Sequence, residues 1–80
     1  MKMITILQIH DRIEEAILAS GMTQNELARR LYVHRSAIGQ YLSGRSMPAL
    51  DTFANLCAIL DVDANDILCI ADYKPDESER

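Results

Sequence analysis

Tryptophan is absent from this chain, and only three tyrosines and one phenylalanine supply aromatic bulk. A core with so few rings must rest on Leu, Ile, Val and Ala, a palette that favours helices over a sandwich or barrel. Cysteine is scarcer still. Cys57 and Cys69 have neither CxxC spacing nor neighbouring histidines, and both lie in apolar runs, NLCAIL and DILCI. They read as reduced thiols acting as small hydrophobes rather than as a disulfide or a metal site. No apolar run reaches the roughly 18 residues of a membrane span. The start, MKMITILQIHD, has a single lysine and no small-residue cleavage site, so a signal peptide is not expected. The expected location is the cytoplasm.

Acidic residues are missing from one stretch altogether. Residues 27 to 50 contain Arg29, Arg30, Arg35 and Arg45 and no Asp or Glu, although the formal net charge is −4. Residues 51 to 80 hold eight acids against Lys74 and Arg80. Fields at a few ångströms follow local charge and are screened beyond about 8–10 Å. The net charge therefore does not exclude a polyanionic partner. Catalytic signatures are lacking too: there is no nucleophile with a base at motif spacing and no glycine-rich phosphate loop. No enzyme activity, metal, cofactor or small-molecule ligand is expected.

Eighty residues allow one small domain with one core. Ile9, Ile13, Ala16 and Ile17 repeat at helical spacing, which predicts a first helix from Ile9 to Ser20, with Asp11, Arg12, Glu14 and Glu15 outward and Gly21 as its stop. Thr23-Gln24-Asn25-Glu26 is a capping-box pattern, and Met22 and Leu27 are placed for a hydrophobic staple. A second helix then runs from Gln24 through Leu31. Only Tyr32 to His34 remain for a turn before a third helix, Arg35 to about Leu42, which Gly44 ends; that is the length of a helix-turn-helix connection. A Gly/Ser/Pro loop precedes a fourth helix, Leu50 to Leu60, with an expected inward face of Leu50, Phe53, Ala54, Cys57 and Leu60. Asp63, with Asp66 in capping-box register, opens a fifth helix from Ala64 to about Ile70. The domain is expected over residues 1–71, with 72–80 a polar acidic tail.

The dispersed set Gly21-Met22-Thr23-Gln24-x-Glu26-Leu27-Ala28, Val33-x-Arg35-Ser36-x-Ile38-x-x-Tyr41, Gly44-Arg45-x-x-Pro48, Ala58-x-Leu60-x-Val62 and Asp66-Ile67-Leu68 resembles the helix-turn-helix repressors of the lambda and 434 repressor/Cro type, the XRE family. The resemblance spans roughly residues 9 to 70. It implies an all-α, five-helix lambda-repressor-like bundle that places its third helix in the major groove of double-stranded DNA, usually as a homodimer on two half-sites. Carried over by position, it implies Gln24 near a phosphate and His34, Arg35 and Ser36 toward base edges, with Gln40 one turn further along. Ser43 and Arg45 fall where the family grips the sugar-phosphate backbone. Arg35 suits guanine, whose O6 and N7 a guanidinium can bond together. Arg29 and Arg30 are expected to contribute long-range field only, and His10-Asp11 to be an exposed pair.

Three departures from the family pattern carry expectations of their own. Tyr32 takes the glycine position of the turn, where a left-handed backbone costs a non-glycine residue roughly 1–2 kcal/mol unless ring packing offsets it. Ile17 and Leu42 replace an arginine–glutamate pair between helices one and three, and are expected to touch in the core. Gly39 sits inside helix three at a cost of about 1 kcal/mol relative to alanine, explained either by tolerance or by close approach of DNA. A sequence-specific DNA-binding transcriptional regulator, most simply a repressor, is the leading reading. The alternative is a protein-interaction module of the same fold, such as an antitoxin, which the acidic C-terminal third could serve. Dimer contacts are expected from Met1–Leu7 or from helix five with its tail (Ile67, Leu68, Ile70, Tyr73).

Overall fold

The computed structural model describes residues 3–71 and residue 73. These residues form five helices: α1 (Ile6–Ala19), α2 (Gln24–Leu31), α3 (Arg35–Ser43), α4 (Leu50–Leu60) and α5 (Ala64–Ile67), with no strand among them. Met1, Lys2 and the tail expected from residue 72 onward lie outside the described residues, except Tyr73. That tyrosine is half-buried, and its backbone N–H donates to the Ile70 carbonyl at 3.1 Å. No helix of the described residues is long and apolar enough to cross a membrane.

α1 begins earlier than its apolar spacing predicts. Thr5 caps it reciprocally: the Gln8 N–H donates to the Thr5 hydroxyl at 3.3 Å, and the Thr5 N–H donates to Gln8 Oε1 at 2.8 Å. This closed box lets Ile6 and Leu7 enter the helix although both stay exposed. α2 starts where expected, with the Glu26 N–H donating to the Thr23 hydroxyl at 3.1 Å. The return arm of that box is not formed. Glu26 Oε1 instead accepts from Arg30 at 3.0 Å and Arg29 at 3.4 Å, because two guanidinium groups one turn on compete well against a neutral amide. Arg29 and Arg30 are thus locally paired.

α1, α2 and α3 share one core with α4 and α5. Ile13, Ile17, Leu27, Ala28, Leu31, Ile38, Tyr41, Phe53, Leu56, Cys57 and Ile67 are buried together, and Met22, Val33, Leu42 and Val62 pack on them from its edge. Leu42 packs at the edge of the core that holds Ile17, and both residues line one open recess beside the start of α2. The inward face of α4 is Phe53, Leu56 and Cys57, with Leu60 half-buried. Leu50, expected inward, is 86% exposed, and Ala54 is exposed too. The helix is rotated so that Leu56 takes the central place. Burial, and the Asp63 carboxylate with it, push the Cys57 thiol up, as suits a neutral core group.

Three helices end on non-glycine residues in the left-handed conformation, Tyr32 (φ 58), Asp61 (φ 54) and Cys69 (φ 64). Each ends in the same paired hydrogen bonds. At Tyr32, its N–H donates to the Arg29 carbonyl at 3.3 Å and the Val33 N–H donates to the Ala28 carbonyl at 3.1 Å. This is a Schellman ending, with Val33 closing it on the core. At α5 the same device stops the helix at Ile67, three residues short of the expected end. Asp63 caps α5 through the Asn65 N–H at 2.9 Å.

The Tyr32 ring is 95% exposed, so ring packing does not offset the left-handed backbone. The compensation comes from the two backbone bonds and from Val33. Tyr32→Gly is therefore expected to stabilise the fold by roughly 0.5–1 kcal/mol, the relief of φ strain exceeding the added flexibility of the unfolded chain. Urea unfolding followed by circular dichroism would show a higher midpoint; a lower one would mean the ring contributes after all.

Candidate nucleic-acid interface

α3 divides cleanly along its length. Ile38 and Tyr41 are buried and Leu42 and Ala37 half-buried, all on the side that meets α1 and α2. Arg35, Ser36, Gln40 and Ser43 are exposed, and Gly39, half-buried beside Gln24, lies among them on the same stripe, as residues four apart on a helix must. His34 stands at the N-cap with no side-chain cap bond, its own side chain exposed. Its carbonyl accepts from the Ala37 N–H at 2.9 Å. An imidazole cannot do what serine or threonine does at this place, and the helix starts without it.

Gln24, at the first position of α2, joins this surface. The recess of about 400 Å³ that Ile17 and Leu42 line on its apolar side opens against the start of α2, where Thr23, Gln24, Asn25 and Arg35 form its polar side. First-turn backbone N–H groups of a helix have no partner within it and carry the positive end of its dipole. Arg35, which also lines the recess, brings a full positive charge to it. The recess is therefore suited to an anion. Among the described residues neither Arg35 nor Arg45 forms an ion pair, whereas Arg29 and Arg30 are held by Glu26.

The segment after α3 is folded back over the helix end. The Gln40 carbonyl accepts from the Arg45 N–H at 3.0 Å and the Ser46 N–H at 3.4 Å. The Ser43 hydroxyl donates to the same carbonyl at 3.2 Å and accepts from the Arg45 N–H at 3.4 Å. Ser46 donates its hydroxyl to Gln40 Oε1 at 3.1 Å. Gln40 is thus less free than its position on the stripe suggests. Gly44 permits the reversal, at φ 79.

Two contributors escaped the sequence reading. Ser46, just described, orients the Gln40 amide. His10 is the other, and it is not an exposed pair with Asp11. Its side chain is only 17% exposed, and its Nε2 lies 2.9 Å from the Leu42 carbonyl oxygen. A carbonyl only accepts, so Nε2 carries the proton and donates, while Nδ1 faces Asp11 at 3.5 Å. The bond ties α1 to one of the last carbonyls of α3. A signal was available, since His10 lies three and seven residues before the buried Ile13 and Ile17, on their face of the helix.

Of the seven residues expected at the interface, Gln24, His34, Arg35, Ser36, Gln40, Ser43 and Arg45, six are exposed and Gln24 is half-buried. Gln24 and Arg35 share one recess, and Gln40, Ser43 and Arg45 share one hydrogen-bonded helix end. No curated protein and no solved structure matches the chain. The family model described as helix-turn-helix matches residues 13–67, well over half the chain and the whole span from the inward face of α1 to the end of α5. That family is one of DNA-binding regulatory domains, of the Cro/C1 type. With this match and the α2–turn–α3 geometry together, the chain belongs to the XRE-type helix-turn-helix family.

Proposed function

We propose that this protein is a sequence-specific transcriptional regulator, most simply a repressor, that binds operator DNA as a homodimer in the cytoplasm with α3 in the major groove. The observation that carries the reading is the outward stripe of α3. It holds Arg35 without an ion pair among the described residues, inside a segment without acids and beside the anion-suited start of α2. Arg35 reads a base edge, Gln24 and Arg45 hold phosphates, and His34, Ser36, Gln40 and Ser43 complete the contact. For the homodimer, Met3, Ile6 and Leu7 offer exposed apolar surface at the start of α1. α5 and the residues after it offer less, because Ile67 is buried, Leu68 and Tyr73 are half-buried and Ile70 alone of that set is exposed.

Selection of bound duplexes from a random pool, repeated with Arg35→Ala, tests the assignment. The variant is expected to lose preference at one base position, a loss of about 1–3 kcal/mol in discrimination. Uniform weakening across all sequences would move Arg35 to the phosphates. Affinity for the selected duplex should fall steeply as salt rises. Absence of binding to any duplex would instead favour the protein-interaction reading.

A further inference from the structure

Gly39 is a glycine that the free protein does not require. It lies within α3 and is not among the residues with positive φ, so its backbone is one that any residue adopts. A Cβ built there would meet only Gln24 Oε1, at 3.9 Å, which is ordinary contact. Glycine in a helix interior weakens the helix relative to alanine. Neither strain nor crowding within the fold accounts for it, in contrast to Gly44, where a Cβ would reach the His10 ring at 3.3 Å. What distinguishes Gly39 is its place on the outward stripe of α3, between Arg35 and Gln40 and opposite the Gln24 side chain.

We infer that Gly39 is a positioning residue for DNA: the missing Cβ is the point of closest approach, where a nucleotide passes against the α3 backbone between the Arg35 and Gln40 side chains. This rests on the DNA-binding reading above and deepens it. A side chain at 39 would hold the helix away from the groove floor by about the radius of a methyl group, and the rigid helix would carry Arg35 and Gln40 out with it. Glycine at this site thus trades helix stability for depth of seating. Gln24, whose amide oxygen is the nearest atom to the vacant position, then contacts the same strand from the α2 side.

The test is Gly39→Ala, measured by thermal unfolding and by binding to the duplex selected with the natural protein. The expected result is opposite signs. Unfolding should shift up by about 4 °C or more, because the helix gains propensity without a clash. Affinity should weaken by about tenfold or more, as one methyl forced into a fitted contact does, with the salt dependence unchanged because no charge is altered. Unchanged or tighter binding would overturn the inference while leaving the DNA-binding reading intact. A lower unfolding temperature would also overturn it, since the fold itself would then need the glycine. If the natural protein binds no duplex, the DNA-binding reading fails first and takes the inference with it.

Discussion

Ile38→Ala is expected to destabilise the protein by about 2–5 kcal/mol, the range for removing a large aliphatic side chain from a well-packed core. Ile38 is 0% exposed and lies on the face of α3 that meets α1 and α2. With Tyr41 it anchors α3 in the core beneath the exposed stripe. A single core in a chain this short rarely supplies more than about 3–5 kcal/mol in total. The substitution should therefore leave a large unfolded fraction at ordinary temperature, and DNA binding should fall with the folded population. Urea unfolding by circular dichroism provides the check, with Leu50→Ala as the comparison. Leu50 looks equally apolar in the sequence but is 86% exposed, so its loss should stay within about 0.5 kcal/mol. Similar effects from the two substitutions would contradict the packing described for α3 and α4.

Gly44→Ala is expected to cost about 2–3 kcal/mol and to damage DNA binding beyond what the folded fraction explains. Two effects add. The backbone at φ 79 imposes roughly 1–2 kcal/mol on any residue with a Cβ. The new atom also comes within 3.3 Å of His10 Nε2, the nitrogen that donates to the Leu42 carbonyl. Either the imidazole moves and that bond is lost, worth about 0.5–1.5 kcal/mol, or the end of α3 moves and takes Ser43 and Arg45 with it. Gly21→Ala separates the contributions, since Gly21 has φ 73 but nothing within 4 Å of the added Cβ. It should show the backbone cost alone, near 1–2 kcal/mol. Equal losses in the two alanine variants would remove His10 from the account. Binding measured where both variants are fully folded should be weaker for Gly44→Ala only.

Most of the element pattern is legible in the sequence, because it depends on interactions between near neighbours. Thr23, Gly21, Gly44, Pro48 and Asp63 act within a few residues of themselves, and α2, α3 and α4 begin where their signals put them. The misreadings share a cause. Gln8 breaks the apolar run at the start of the chain, yet paired with Thr5 it starts α1. Glu26 had the spacing to close a capping box, but its carboxylate was claimed by two arginines. On α4, periodicity alone admits either Leu50 or Leu56 beside Phe53 and Cys57, and the core takes Leu56.

The site divides along the same line. Arg35, Ser36, Gln40 and Ser43 were legible as one face of a helix, since helical geometry alone aligns them. The sequence by itself thus determined the all-helical class, the α2–turn–α3 unit and the acid-free segment around it. His10, thirty-two residues from the carbonyl it caps, could be recognised only once α1 crossed α3. The exposure of Tyr32 and the room for a Cβ at Gly39, with Gln24 in ordinary contact distance, were likewise decided by tertiary structure. Those are questions of which distant atoms come near, and only the assembled core, not the local chain, answers them.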